Sequence, residues 1–177
     1  MSDQQQATPA SLRDVMSRFA TGVMLLTVGG EHIHGMTANA FSSVSLEPSL
    51  VLCCVAHSAV MHRSISAERR FAMSIMAADQ EALARYFADK SRPLGPSQFA
   101  AVDWYPGPLS GAPLLAGALA WLECEIIEAH DSGDHSIFIG SVLSSLTGPA
   151  GEGLIFYGGK FRPGAAKPAA PGVRITR

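Results

Sequence analysis

Charge is what this sequence has least of. Asp, Glu, Lys and Arg make up only 16% of its 177 residues, against about 25% in an ordinary soluble chain. A soluble protein so poor in charge is expected to hide surface in a partner subunit, so the composition predicts an oligomer. Acidic and basic residues nearly balance at 15 and 13, for a net charge of -2. No basic field exists to attract nucleic acid or an anionic membrane. Cysteine is scarce and odd in number: Cys53, Cys54 and Cys124. Two of the three are adjacent in an apolar run, which excludes a disulfide framework and fits buried thiols in a reducing cytoplasm. No apolar run reaches the roughly 18–20 residues of a membrane span. The first ten residues have no basic region and no apolar core, so no secretory signal is read there, and the expected location is cytoplasmic. Gly-x-Ser-x-Gly, P-loop and strand-borne Gly-x-Gly-x-x-Gly motifs are all missing. Hydrolase, NTPase and Rossmann dehydrogenase readings therefore have no support.

What is present centres on residues 35–48, from Gly35 to Pro48. This stretch alternates like one strand, whose successive side chains go to opposite faces. Thr37, Asn39, Phe41, Ser43 and Ser45 share one face. Met36, Ala38, Ala40, Ser42, Val44 and Leu46 share the other, which is small and mostly apolar and suits a packed interior. Small side chains let a ligand approach the backbone, and hydroxyls with backbone N–H groups can hold a phosphate without large positive charge. The same pattern also fits a half-exposed strand with a Ser/Thr outer face.

Around this stretch the chain reads as strands with few helices. Met1 to Ala10 is a flexible lead-in. Ser11 caps a short helix whose apolar residues Leu12, Val15, Met16 and Phe19 fall at helical spacing, ending near Thr21-Gly22. Val23–Val28 is a strand, and Gly29-Gly30-Glu31 a hairpin turn. Leu50–Val55 reads as a strand buried on both faces. Ser58 is placed as the cap of a helix running to about Ser66. Phe71–Met76 is another strand, and Asp79 caps a helix from Gln80 to Ala88. The proline- and glycine-rich segment 89–113 reads as one long loop, of the length expected of a lid or binding loop, with a helical turn near Ser97. Leu119–Ala129 alternates, with Leu122, Cys124 and Ile126 facing in and Trp121, Glu123 and Glu125 facing away. A turn over 131–134 leads to a returning strand from His135 to Leu143. Leu154–Tyr157, turned by Gly158-Gly159 toward Phe161, completes the strands. Residues 163–177 are Ala, Pro and Gly with a few basic residues, and read as a flexible tail. The one domain thus covers residues 11–162. Strands that do not alternate with helices favour a mainly β protein, an antiparallel Greek-key barrel with a few appended helices.

Few residues suggest chemistry by type and spacing. His32 and His34 would share one side of a strand, but no further ligand follows and no metal is expected. His135, just after a turn, can donate or accept a hydrogen bond near neutral pH and suits orienting a carboxamide. Lys90, Arg92 and Arg63 could meet a phosphate or simply be solvated.

Five blocks carry a resemblance: residues 19–23, 35–50, 71–75, 133–142 and 154–161, in that order. With them the chain resembles the short-chain flavin reductase family, the reductase components of two-component flavin-dependent monooxygenases. The resemblance implies an FMN-binding split barrel, a homodimer, and NAD(P)H-dependent reduction of FAD or FMN, with NADH and FAD favoured. It implies that Met36, Thr37, Ala38, Asn39, Ala40, Phe41, Ser42, Ser43, Val44 and Ser45 line the flavin. Ala56, His57 and Ser58 would complete the phosphate side, with Lys90 also in reach. His135 would contact the nicotinamide, and Phe161 would close over the flavin. Reduced flavin would pass to a separate monooxygenase. Two other readings stand beside this one: a reductase that keeps its flavin and reduces a metal complex or corrinoid, and a non-catalytic flavin-binding module.

Overall fold

A computed structural model describes residues 10–164. The lead-in over residues 1–9 and the tail over 165–177 lie outside the described residues. Helix α1 (Leu12–Met16) begins on a reciprocal cap, Ser11 accepting from the Asp14 N–H and the Asp14 carboxylate accepting from the Ser11 N–H. It is shorter than predicted, and its apolar residues stay exposed, Leu12 at 77% and Phe19 at 65%.

Then follow strands β1 (Thr21–Gly22), β2 (Met24–Val28), β3 (His34–Ala38), β4 (Phe41–Leu46) and β5 (Ser49–Ala56). Helix α2 (Val60–Glu68), β6 (Arg70–Ile75) and helix α3 (Glu81–Ala88) come next. The chain continues through β7 (Trp104–Pro106), β8 (Pro113–Leu115), β9 (Ala120–Ser132) and β10 (His135–Thr147), and ends in β11 (Leu154–Tyr157) and β12 (Lys160–Pro163). Seven strands form one antiparallel sheet in the order β3-β2-β6-β9-β10-β5-β4. Its two edge strands, β3 and β4, are consecutive and joined by only two residues. The sheet must therefore curl back on itself, as a split barrel with a seam at Asn39-Ala40. One backbone bond reaches across that junction, from the Cys54 N–H to the Ala40 carbonyl at 3.0 Å. A small sheet, β1-β11-β12, flanks the seam.

The core has two parts, because β2 is buried along its whole length. Met24, Leu26 and Val28 face an interior closed by Met61 and Ile65 of α2, with Val51, Cys53, Phe71, Cys124 and Phe138. Leu25 faces the opposite way, into a layer of Phe87, Phe99, Leu114, Leu115 and Trp121. Gly140 of β10 allows a close crossing, since a Cβ there would stand 2.6 Å from the Phe71 ring. Burial pushes the Cys53 and Cys124 thiols up to about 12, so both are inert.

Several sequence expectations change. Residues 35–48 are two strands broken at Asn39-Ala40, and past the break Val44 and Leu46 are exposed at 47% and 87% rather than packed inside. The hairpin turn expected at 29–31 does join β2 to β3, and it takes the form of a 3₁₀ turn over Gly30–His32. Strand β5 buries only alternate residues, not both faces. Neither Ser58 nor Asp79 caps a helix. Ala59 precedes α2, and Gln80 folds back to the Ala77 N–H. The reverse holds for β9, where Trp121 and Glu123 are buried, not outward. The reason is the segment 89–113: it packs across that face instead of standing off as a lid. The Glu123 carboxylate accepts from the Leu109 and Ser110 N–H groups and from the Ser110 hydroxyl at 2.7–2.9 Å. Pro163 ends β12 and does not begin the tail.

Candidate functional site

Four cavities meet at the seam, and Asn39 lines all of them. This follows from the topology. Where β3 ends its pairing and β4 has not begun, the backbone of a sheet edge faces open space.

The cavity between the outer edge of β3 and the end of β5 measures about 260 Å³. It is lined by Met36, Thr37, Ala38, Asn39 and Ala40, by Cys54, Ala56, Ser58 and Ala59, and by Lys90 and His135. Four alanines on its walls leave the backbone accessible. Among the described residues no strand pairs with the outer edge of β3, so beyond Gly35, which bonds Gln98 and Arg92, its edge can face a ligand. Lys90 supplies the cation. His135 stands at the start of β10, after a tight turn in which Gly133 takes φ +63°. Its Nδ1 is 2.7 Å from the Asp134 carboxylate, which fixes the ring by one nitrogen and leaves Nε2 for another partner. That hydrogen bond, ahead of the imidazole's charge, lowers the Asp134 pKa.

Next to this cavity is an apolar slot of about 150 Å³, walled by Val23, Ala88, Phe156 and Phe161 together with residues 37–39. Phe161 packs edge-on with Phe156, ring centroids 5.4 Å apart, and the Arg85 guanidinium lies over the Phe161 ring at 5.2 Å. On the far side of Asn39 a wider groove of about 870 Å³ runs along Phe41 and Ser42 to Phe19, Thr21 and Arg13. Asn39 is held there by a hydrogen bond from its Nδ2 to the Thr21 hydroxyl at 3.1 Å.

The predicted residues divide accordingly. Residues 36–40, Ala56, Ser58, Lys90 and His135 come together at one cavity; Phe161 closes the adjoining slot, and Phe41 and Ser42 line the groove. Ser43, Val44 and Ser45 run on along the edge strand β4 and line none of these cavities. His57 turns aside, toward Ser136, at 3.1 Å. The hydroxyl row is less free than the alternation implied, since Thr37 donates to the Ala84 carbonyl and Ser42 to the Ser43 carbonyl. Cys54, Ala59, Phe19, Thr21 and Arg13 line the site without having been singled out. Phe19 and Thr21 belong to the block 19–23 that carries the resemblance, which could have found them; Cys54, Ala59 and Arg13 are brought there by the seam. Arg92 serves β3 from behind: its guanidinium donates to the Gly35 carbonyl and meets His34 Nε2 at 3.2 Å.

A family model described as "flavin reductase like domain" matches residues 16–165. The chain belongs to the flavin reductase-like family. This flavin reductase is 54% identical over 151 residues to a protein of Streptomyces globisporus named NADH-dependent FAD reductase, covering 85% of the chain and 83% of the relative. It is 32% identical over 159 residues, 88% of the chain and 82% of the relative, to the flavin-dependent monooxygenase reductase subunit HsaB of Mycobacterium tuberculosis. Among solved structures it superposes on BorF, the flavin reductase component of a bacterial two-component tryptophan halogenase. That match has a TM-score of 0.84 at 46% identity and covers 88% of the chain and 98% of BorF. Like those relatives, the flavin reductase is mainly β, with an antiparallel split barrel and few helices. The seam of this barrel, with its small side chains, free strand edge and single lysine, fits a flat polar ring bearing a phosphate.

Proposed function

We propose that this flavin reductase uses NADH to reduce FAD and releases the reduced flavin to a separate monooxygenase component. The observation that carries the reading is the cavity at the seam, which gathers the β3 edge, the end of β5, Lys90 and His135 in a chain of this family. Ring stacking in near-attack geometry requires placement more than acid–base chemistry. A bound flavin supplies the electron-accepting ring, and the nicotinamide supplies the hydride.

The chain's own residues do the holding. Residues 36–40 offer backbone groups at close range, Ser58 and Lys90 meet the phosphate, and His135 presents Nε2 to the carboxamide. Phe161 shields the apolar slot from water. Few fixed cations line the site, which suits a flavin that binds and leaves. The wider groove beyond Asn39, of about 870 Å³, has room for an adenylate, and this favours FAD over FMN. Val44 and Leu46 on the edge strand, with Leu143 and Leu146 of β10, expose apolar area that a second copy of the chain would cover, so the working form is a homodimer. Among the described residues no helix is long and apolar enough to cross a membrane.

Steady-state NADH and NADPH oxidation with FAD and with FMN tests the reading. Turnover is expected with NADH and FAD, and protein that loses its yellow colour on desalting. A colour that persists indicates a retained flavin, and no flavin-dependent oxidation with any pair rejects the proposal.

A further inference from the structure

Below the seam cavity, on the side away from it, three metal-ligating groups converge from separate parts of the chain. His57 comes from the β5–α2 connection, His62 from the first turn of α2, and Asp131 from the end of β9. Their ligand atoms all lie within 4.8 Å of one another. His57 Nε2 and Asp131 Oδ1 are 3.5 Å apart. Two ligands bonded at about 2.0–2.1 Å to one tetrahedral ion stand about 3.4 Å apart. The imidazoles meet edge to face, with ring centroids 5.0 Å apart and planes at 78°, and both Nε2 atoms reach the same oxygen. It is the Ser136 hydroxyl, 2.7 Å from His62 Nε2, 3.1 Å from His57 Nε2 and 2.6 Å from Asp131 Oδ1.

One hydroxyl proton cannot serve three partners. With it donated to Asp131, both imidazoles must be protonated at Nε2 to be satisfied. A cation offers these groups another arrangement, with both Nε2 lone pairs and the carboxylate directed at the ion.

We propose that His57, His62 and Asp131 form a binding site for a divalent transition-metal ion of the zinc class. Ser136 either gives its oxygen as a fourth ligand or rotates away. Two nitrogens and one oxygen select zinc, nickel or copper over magnesium or calcium. The His57 and Asp131 side chains are 40% and 82% exposed, so the ion enters from solvent and a water completes its shell. Once bound, it ties the turn that carries His135 to the start of α2.

The full-length protein, stripped with a chelator, is titrated with zinc chloride against a chromophoric competitor. One equivalent is expected to bind per chain, with a rise in the thermal midpoint. Asp131→Asn keeps the size and exposure of the side chain, and His62→Ala removes an imidazole outside the flavin cavity. Loss of the equivalent in either variant, with Glu128→Gln still binding it, supports the site. No bound equivalent in the parent protein, or an equivalent kept by both variants, overturns it and leaves a hydrogen-bonded anchor around Ser136 only.

Discussion

His135 stands 2.7 Å from Asp134 on one side and faces the seam cavity on the other. It is thus oriented before any ligand arrives. His135→Ala is expected to cut kcat/KM for NADH about tenfold, the loss of roughly 1.4 kcal/mol from one hydrogen bond. FAD affinity should hold, and separate titrations of the two substrates distinguish these effects. Asn39, at the meeting point of four cavities, has the opposite expectation: Asn39→Trp fills them and abolishes FAD binding, as read by flavin fluorescence. His34 carries a pH dependence. Burial first, and then the Arg92 guanidinium, push its pKa down from 6.5 to about 4. Between those values the unfolded chain binds a proton that the folded chain refuses. Stability is full above about 6.5 and declines as pH falls toward about 4. Urea midpoints across that window should fall in the parent protein and fall less in His34→Gln. These residues were visible in the sequence only in part. His135 and Asn39 could be named from type and position. His34, expected beside His32 on one strand face, opens β3 and is buried, while His32, in a 3₁₀ turn, pairs with Glu68.

Strands and helices were legible wherever alternation or capping acted locally, as at β2, β6, β11 and the Ser11 cap. They were misread where a distant segment supplied the partner. Glu123 is the clearest instance. Its position in an alternating strand put it outward, yet it is 1% exposed because the segment 89–113 folds over it. Its carboxylate organises three donors of that segment, and removing it takes the acceptor from the Leu109 and Ser110 N–H groups and the Ser110 hydroxyl. Glu123→Ala is expected to lower stability by about 2 kcal/mol, since hydrogen bonds to a charged group contribute about 1.5–3 kcal/mol. Glu125→Ala is the control. That carboxylate is half exposed and meets Arg70 at 3.4 Å, a contact worth about 1 kcal/mol or less. Urea denaturation of the two variants makes the comparison. The break at Asn39-Ala40 is a second instance. No proline or glycine marks it, and it exists because the chain passes there from pairing with β2 to pairing with β5.

At the scale of the whole molecule, low charge and exposed apolar residues point the same way. Val44 and Leu46 on β4 are 47% and 87% exposed, and Leu146 on β10, one strand beyond β5, is 52% exposed. A monomer would leave them in water. The protein is expected to be a dimer by light scattering, and the double change of Val44 and Leu46 to Asp is expected to yield monomers with unaltered circular dichroism. A parent protein that is monomeric at micromolar concentration would refute the dimer. The site at the seam is likewise a property of the whole sheet, since its walls come from β3, β5, β10 and the chain just beyond α3.

By itself the sequence determined a mainly β chain, the Ser11 cap and the turns set by short-range chemistry, and membership of the flavin reductase-like family. Periodicity, capping and motif order all act within a few residues, so they can be read along the line. Tertiary structure alone decided which face of each strand is covered and where the sheet stays open. It also decided that His57 meets His62, Asp131 and Ser136 rather than the flavin cavity. Those outcomes depend on contacts between residues about as far apart as 57 and 131, and no local pattern records them.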